Sequence, residues 1–353
     1  MTSRHIAFAV PGDLKTLTGG YIYDRRVIHE LRALGWTVDH IALPDGFPNP
    51  SPDQMRQALD QLQHLPQNCP VIIDGLAFGA MDCAGVAALR CPVIALVHHP
   101  LAKENGLSPD RQTHLHQTEK QNLSQVAGVI VPSPHTADIL ATEYNVAMSR
   151  ITIAKPGIDQ PTQAGTPTSP PLILSVGIQL PRKGHDVLLR ALAQIKDQGW
   201  QAKIVGAPLD PVYAGELTDL RNRLGLAGRV EILGRVDRTV LDELYRKASL
   251  FALATRYEGY GIVFDEALVH GLPIVSCLTG AVGNTVPQDA GTLVPVDQPS
   301  AFATGLTTLL ADRRDYAAAS LRAGKMRPGW DATATSVTGA LAQTLNRLGP
   351  TST

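Results

Sequence analysis

The densest group of chemically capable residues is Arg256-Tyr257-Glu258-Gly259-Tyr260-Gly261-Ile262-Val263-Phe264-Asp265-Glu266, where two glutamates stand eight positions apart around a glycine-rich turn. Each carboxylate can accept paired hydroxyl groups, and Gly259 and Gly261 leave the intervening N–H groups open to a ligand. Paired carboxylates also suit glycoside hydrolysis, and a carboxylate at a helix start also compensates the helix dipole. Arg182-Lys183-Gly184 sets two cations at a strand-to-helix junction, where Arg grips a phosphate as a planar fork and Lys as a point charge. A solvated basic turn has the same composition. Gly19-Gly20 closes a loop and opens onto a helix, so it either brings backbone N–H groups to an anion or simply makes a turn. It is not Gly-x-Gly-x-x-Gly, and no Gly-Lys-Ser/Thr follows, so the dinucleotide and P-loop fingerprints are absent. His98-His99-Pro100 ends an apolar run and places an imidazole just after a strand. His114 and His116 would project about 200° apart on a helix with no carboxylate at ligand spacing, so no metal centre is expected there.

Positioning these residues requires a repeated strand and helix alternation. Short apolar runs at Ile6–Val10, Val38–Leu43, Val71–Ile73, Val93–Val97, Val129–Val131 and Ile151–Ile153 read as strands. Between them lie helical patterns such as Met55, Ala58, Leu59 and Leu62, with Ser51-Pro52 as cap and first-turn proline. Residues 156–171 hold five prolines and two glycines and read as a linker. The alternation then restarts with strands at Leu172–Val176, Ala202–Val205, Val230–Leu233, Leu250–Leu253, Ile274–Val275 and Thr292–Val294. Helices are expected near 213–224, over 238–247 and 264–270, and from 299 onward. Almost wholly apolar strands separated by helices indicate parallel sheets covered on both faces, hence two doubly wound α/β domains. Ligands of such sheets bind beyond the carboxyl ends of the strands, so a cleft between two facing domains is the expected site.

Composition excludes several classes. The chain has 353 residues, 44% apolar and 18% charged, with a formal net charge of −1. That is enough apolar material for two cores, and the charge balance offers no general attraction to nucleic acid. Cys69, Cys83, Cys91 and Cys277 form neither a disulfide framework nor a metal motif. With no secretory leader pattern and no run of about 18 apolar residues, a cytoplasmic protein is expected; membrane contact would be peripheral and is not indicated.

Glu258 and Glu266 resemble the Glu-x7-Glu signature of family 4 retaining glycosyltransferases, with Gly259-Tyr260-Gly261 filling its middle. Arg182-Lys183-Gly184, Gly19-Gly20 and Lys155-Pro156-Gly157-Ile158-Asp159 are similar to further elements of that family, in the same order along the chain. The resemblance implies a GT-B fold, two Rossmann-like domains facing across a cleft. Residues 1–157 would form the acceptor-side domain, 158–171 the linker and 172–329 the donor-binding domain. A helix over about 330–348 would cross back to the first domain; Ala334, Val337, Leu341, Leu345 and Leu348 make its apolar stripe.

Carried over by position, the resemblance implies that Arg182 and Lys183 hold a donor diphosphate and that Glu266 takes the ribose hydroxyls. Glu258 and the backbone of Tyr260, Gly261, Ile262 and Val263 would hold the transferred sugar, with Gly19 and Gly20 against the phosphates. Val236, in Gly234-Arg235-Val236, would border the nucleobase, and His98 would reach the donor sugar. Where the family often carries Gly-Gly-x-x-Glu, this chain has Gly280-Ala281-Val282-Gly283-Asn284, and Asp265 replaces a more usual apolar residue. The expected activity is metal-independent, retaining transfer of a hexose from a nucleotide-diphosphate sugar, UDP-linked before GDP-linked. The acceptor would be a small-molecule, glycan or lipid hydroxyl, and no cofactor is expected. A nucleotide-sugar epimerase, a sugar phosphorylase and a non-catalytic sugar-binding protein are the alternatives.

Overall fold

The computed structural model describes residues 4–104 and 106–347, divided between two compact units. One comprises the chain up to Gly157 together with the segment from Pro328 onward; the other runs Ile158–Arg327.

In the first unit, strands β1 (His5–Pro11), β2 (Thr37–Leu43), β3 (Val71–Asp74), β4 (Val93–Leu96), β5 (Gly128–Val131) and β6 (Ile151–Ile153) alternate with six helices. These are α1 (Gly19–Ala33), α2 (Pro52–Gln63), the short α3 (Gly75–Phe78) and α4 (Cys83–Ala87), then α5 (Pro109–Gln125) and α6 (Pro134–Thr142). All six strands are parallel in the order β2-β1-β3-β4-β5-β6. The central strands β3, β4 and β5 are buried throughout, as their unbroken apolar sequences require. Helix starts follow local chemistry: Ser51, Ser108 and Ser133 each accept a bond from the first turn, with proline next in sequence.

The second unit contains β7 (Leu172–Val176), β8 (Gln201–Val205), β9 (Val230–Gly234), β10 (Leu250–Leu253), β11 (Ile274–Cys277) and β12 (Gly291–Val294). Its helices are α7 (His185–Gln194), α8 (Pro211–Arg223), α9 (Arg238–Lys247), α10 (Ile262–Val269), the short α11 (Val282–Thr285), α12 (Pro299–Ala311) and α13 (Arg313–Lys325). The parallel order is β12-β11-β10-β7-β8-β9. In each sheet the order reverses at one point, between β1 and β3 in the first unit and between β7 and β10 in the second. The loops leaving those strands start at their carboxyl ends, the edge at which doubly wound sheets take ligands.

Two segments behave differently from a simple reading of composition. Residues 158–171 have no regular structure but are not a free spacer: Thr166 and Thr168 N–H donate to the carbonyls of Arg246 and Lys247 at the end of α9. The last helix, α14 (Trp330–Arg347), belongs to the first unit. Its residues Ala334, Val337 and Leu341 are buried, Leu345 is half-buried, and Leu348 lies outside the described residues. Trp330 meets Tyr23 of α1 edge-on at 5.9 Å, and Thr333 Oγ1 donates to Lys155 O at 2.7 Å.

Candidate active site

In the second unit, the candidate residues come from the two loops that flank the strand-order reversal. After β7 the chain makes a single turn of 3-10 helix, Pro181–Lys183, and enters α7 through Gly184 at φ 62°. A β-carbon on Gly184 would lie 1.9 Å from the carbonyl oxygen of Ala254, so only glycine lets this turn lie against the loop after β10. Arg256 N–H donates to Arg182 O at 2.8 Å across the junction.

This apposition brings Arg182, Lys183 and Glu258 together. Lys183 Nζ lies 2.5 Å from Glu258 Oε1, and Arg182 Nη1 lies 3.7 Å from Oε2 while donating to Tyr257 O at 3.1 Å. The buried Thr255 hydroxyl stands 3.0 Å from Glu258 Oε1. Burial pushes the Glu258 carboxyl up, but Lys183 and Arg182 outweigh it and hold the group below its ordinary range. It is therefore ionised at neutral pH. The backbone of Glu258 is cradled by the segment that departs from the family pattern: Ala281 N–H donates to Glu258 O at 2.8 Å. A β-carbon on Gly280, at φ 52°, would lie 2.3 Å from that same oxygen. Here Gly280-Ala281 supports the glutamate from behind.

Glu266, on α10, receives Tyr245 OH on Oε2 at 2.9 Å and Arg238 Nη1 on Oε1 at 2.5 Å. A carboxylate has about four lone-pair directions, so hydroxyl groups still find acceptors beside these partners. The Arg238 side chain is 55% exposed, so it can yield its place. Gly261 at φ 87° leads into α10, where Ile262 and Val263 are half-buried in the first turn and Phe264 N–H donates to Gly261 O at 3.0 Å. Val236 is half-buried against the apolar cluster that contains Leu244 and Tyr245.

Asp265, the departure from a more usual apolar residue, is held from both sides: Arg327 Nε pairs with its Oδ1 at 2.7 Å and Tyr260 OH donates to its Oδ2 at 2.5 Å. The Tyr260 hydroxyl is thereby turned into the protein, leaving its backbone as the part able to meet a ligand. The helix after the basic pair begins at His185, with Gly184 as its N-cap.

Sequence reasoning also missed the brace behind the basic turn. Arg256 forms a two-bond fork with Asp186 at 3.0 Å on each arm, bonds Asp297 Oδ1 at 2.7 Å and reaches Pro181 O. His185 is fully buried with Nε2 3.0 Å from Gly177 O, and burial pushes its imidazole down to about 4. A neutral ring must therefore donate from Nε2, which pins the loop after β7. The partners lie far apart in sequence, so spacing carried no signal; Arg256 beside Glu258 was the single visible hint.

The first unit contributes a separate group. Gly19 and Gly20 open α1, and a β-carbon on Gly20 would lie 3.2 Å from His98 Cδ2. His98, in the loop after β4, places Nε2 3.1 Å from Asp24 Oδ1 and 3.4 Å from Asp74 Oδ2. Asp74 ends β3 and caps α3 by accepting from Leu76 N–H at 3.0 Å. Burial lowers the imidazole's affinity for a proton, yet the two carboxylates raise it to about 10; burial raises Asp24 to about 6 against the pull of His98. These three are the one grouping of potential metal donors among the described residues, with ligand atoms within 4.8 Å of one another. Nε2 is hydrogen-bonded to Asp24 Oδ1, and Asp74 Oδ2 lies within ion-pair range of the same nitrogen. His99 bonds Glu104 at 2.6 Å, and His116 packs on Tyr144 at 4.4 Å. Neither joins His98.

Comparison with known proteins is consistent with this geometry. The family model described as "Glycosyltransferase Family 4" matches residues 30–160, and the one described as "Glycosyl transferases group 1" matches 158–326. The chain belongs to glycosyltransferase family 4. Among curated relatives of this family 4 chain, D-inositol 3-phosphate glycosyltransferase of Xylanimonas cellulosilytica is 31% identical over 65% of this chain and 60% of its own. The Mycolicibacterium gilvum protein of the same name is 30% identical over 55% of this chain and 46% of its own. The chain thus spans about half the length of the curated relatives it matches. Sucrose-phosphate synthase of Thermosynechococcus elongatus superposes with a TM-score of 0.80 at 21% identity, covering 98% of this chain and 100% of that one. Anabaena HepE in complex with UDP and glucose gives a TM-score of 0.75 at 17% identity, covering 96% and 99%. These likenesses, with two six-stranded parallel sheets, make the fold GT-B. Among the described residues of this family 4 member, no helix is long and apolar enough to cross a membrane.

Proposed function

We propose that the protein is a retaining glycosyltransferase that moves a hexose from a nucleotide-diphosphate sugar, UDP-linked in the first instance, to a hydroxyl acceptor. The observation that carries this reading is the convergence of Arg182 and Lys183 on the buried, ionised Glu258 beside the first turn of α10. A diphosphate entering there meets two cations and the positive N-terminal end of α10. Glu266 offers carboxylate oxygens to the ribose, and Glu258 offers its own to sugar hydroxyls. The match to HepE, solved with UDP and glucose, supports a nucleotide donor of this type.

In the reaction proposed, the bond from the sugar's anomeric carbon to the diphosphate oxygen breaks, and positive charge develops on the sugar. Arg182 and Lys183 stabilise the negative charge arriving on the departing diphosphate. The acceptor oxygen bonds the anomeric carbon on the face the diphosphate leaves, and its proton passes to a departing diphosphate oxygen. No resident metal or cofactor takes part in these steps. His98, from the first unit, would donate a hydrogen bond to a substrate oxygen.

Incubation with single nucleotide sugars, with and without acceptor, followed by NMR of the new anomeric linkage, tests the reading. Acceptor-dependent release of the nucleoside diphosphate with retained configuration supports it. Inversion, epimerised donor without acceptor, or sugar phosphate as product overturns it.

A further inference from the structure

The grouping of His98 with two carboxylates is more than the proposed transfer needs from a single hydrogen-bond donor. Asp24 comes from α1 and Asp74 from the end of β3, and neither is near His98 in sequence, yet both reach the same ring nitrogen. They are 1% and 2% exposed. Two buried carboxylates side by side require a positive charge or a proton between them.

The surroundings supply little else. From α1, the Arg25 guanidinium is tied to the carbonyls of Leu14 and Thr16, so it acts on Asp24 only through space. Tyr21, also on α1, donates its hydroxyl to Pro11 O at 2.8 Å, and the nearby acids Asp74, Asp24 and Asp13 help hold it protonated. Tyr23 presents its ring to the imidazole edge-on at 5.2 Å and is braced by Trp330 of α14. Among the described residues, His98 is thus the group able to carry a positive charge in direct contact with the pair.

We propose that Asp24 and Asp74 are positioning residues for His98: they hold a proton on Nε2 and fix the ring as an imidazolium whose opposite nitrogen, Nδ1–H, donates to a substrate oxygen. Its delivery step rests on the transferase reading above, whereas the proton-holding step stands on the first unit alone. His98 then acts as a constant hydrogen-bond donor and not as a base, because the proton it would need to lose is held by two carboxylates. The strong upward shift of the imidazole is in keeping with this. Tyr23, on one ring edge, keeps the imidazole from turning away.

The test uses the full-length chain and reads the His98 ring by NMR, with the signal assigned from a His98→Gln variant. In the wild type, the Cε1–H signal is expected to show no loss of the ring proton below about pH 9, against an ordinary histidine midpoint of about 6.5, and an inflection near 6 that disappears in Asp24→Asn belongs to Asp24. Asp24→Asn and Asp74→Asn should each bring the midpoint down towards that value. A wild-type midpoint near 6.5, or one that neither substitution moves, overturns the proposal. Metal analysis is run on the same samples: a bound equivalent of metal, with a ring signal that shifts on chelation, also overturns it.

In turnover, Asp74→Asn should lower kcat by about 100-fold above its new midpoint, recover as pH falls, and leave KM for the nucleotide sugar within about twofold. A loss independent of pH overturns the positioning role. A fully active His98→Gln, with the wild-type ring titrating as expected, overturns delivery to a substrate oxygen while leaving the proton-holding pair intact. Absence of any transfer by the wild type, with that titration, counts against the transferase reading alone.

Discussion

Replacing Lys183 by alanine separates the structural from the chemical role of the basic turn. Its ammonium lies 2.5 Å from Glu258 Oε1, with side chains only 12% and 6% exposed. Removing one partner of a buried ion pair costs about 3–5 kcal/mol, because a charge is left buried without compensation. Arg182 at 3.7 Å and Thr255 at 3.0 Å remain. These retained partners reduce the expected loss to about 2–3 kcal/mol. At about 2–4 °C per kcal/mol for a unit of this size, the melting transition should fall by about 4–12 °C. Neutralising the stranded carboxylate in Lys183→Ala/Glu258→Gln should recover at least half of that fall, yet neither variant should transfer sugar. The sign with pH follows from the lowered native pKa of Glu258. Its contribution is full above the unfolded value of about 4.3 and is lost as pH falls through the native value. The gap between wild type and Lys183→Ala should therefore be widest at neutral pH and close in acid. Differential scanning calorimetry from pH 3 to 8 reads both effects. A Lys183→Ala variant as stable as wild type, or a double variant no more stable than the single one, would refute the buried-pair reasoning.

Glu266→Ala should weaken binding of the bare nucleoside diphosphate by about ten- to hundredfold in calorimetry, from about 1.5–3 kcal/mol of charged hydrogen bonds, while Glu258→Ala mainly lowers turnover. Transfer in EDTA should equal transfer in magnesium; dependence on the ion would contradict a diphosphate held by side-chain cations. Gly280→Ala places a β-carbon 2.3 Å from Glu258 O at a positive φ. The segment must move, so donor KM should rise and stability fall by about 1–3 kcal/mol, measured by kinetics and urea melts. Leu341→Ala removes a fully buried side chain from α14. It should cost about 2–5 kcal/mol in the first unit's transition while nucleotide binding by the second unit persists.

Most of the secondary structure was legible because a buried parallel strand is a short apolar run and a helix an amphipathic one. Val129–Val131 and Leu250–Leu253 need no tertiary information to be recognised. The short helices α3 and α4 were not legible, since Gly75–Phe78 and Cys83–Ala87 hold too few residues for a period to register. The prolines of 158–171 announced an irregular segment, but its bonds to Arg246 and Lys247 involve backbone atoms, which carry no side-chain signature. Among site residues, Arg182, Lys183, Glu258 and Glu266 stood out because cations and carboxylates beside glycines are conspicuous. Asp186, Asp297 and Asp74 did not, because each has meaning only through a partner on another element.

By itself the sequence determined the two α/β units, the restart of the alternation after the proline-rich segment, and the loops that follow the carboxyl ends of the strands. These follow from local periodicity and from the requirement that apolar strands be covered on both faces. Only the tertiary structure decided which charges meet. Gly184 must pass within van der Waals range of Ala254 before Lys183 can reach Glu258, and that approach depends on the register of β7 beside β10. In the same way, Asp24 and Asp74 converge on His98 because β3 pairs with both β1 and β4, setting the ends of three chain segments side by side. Charge interactions act through space, whereas periodicity is written along the chain; the fold could be read from the sequence, and the pairing of its ionised groups could not.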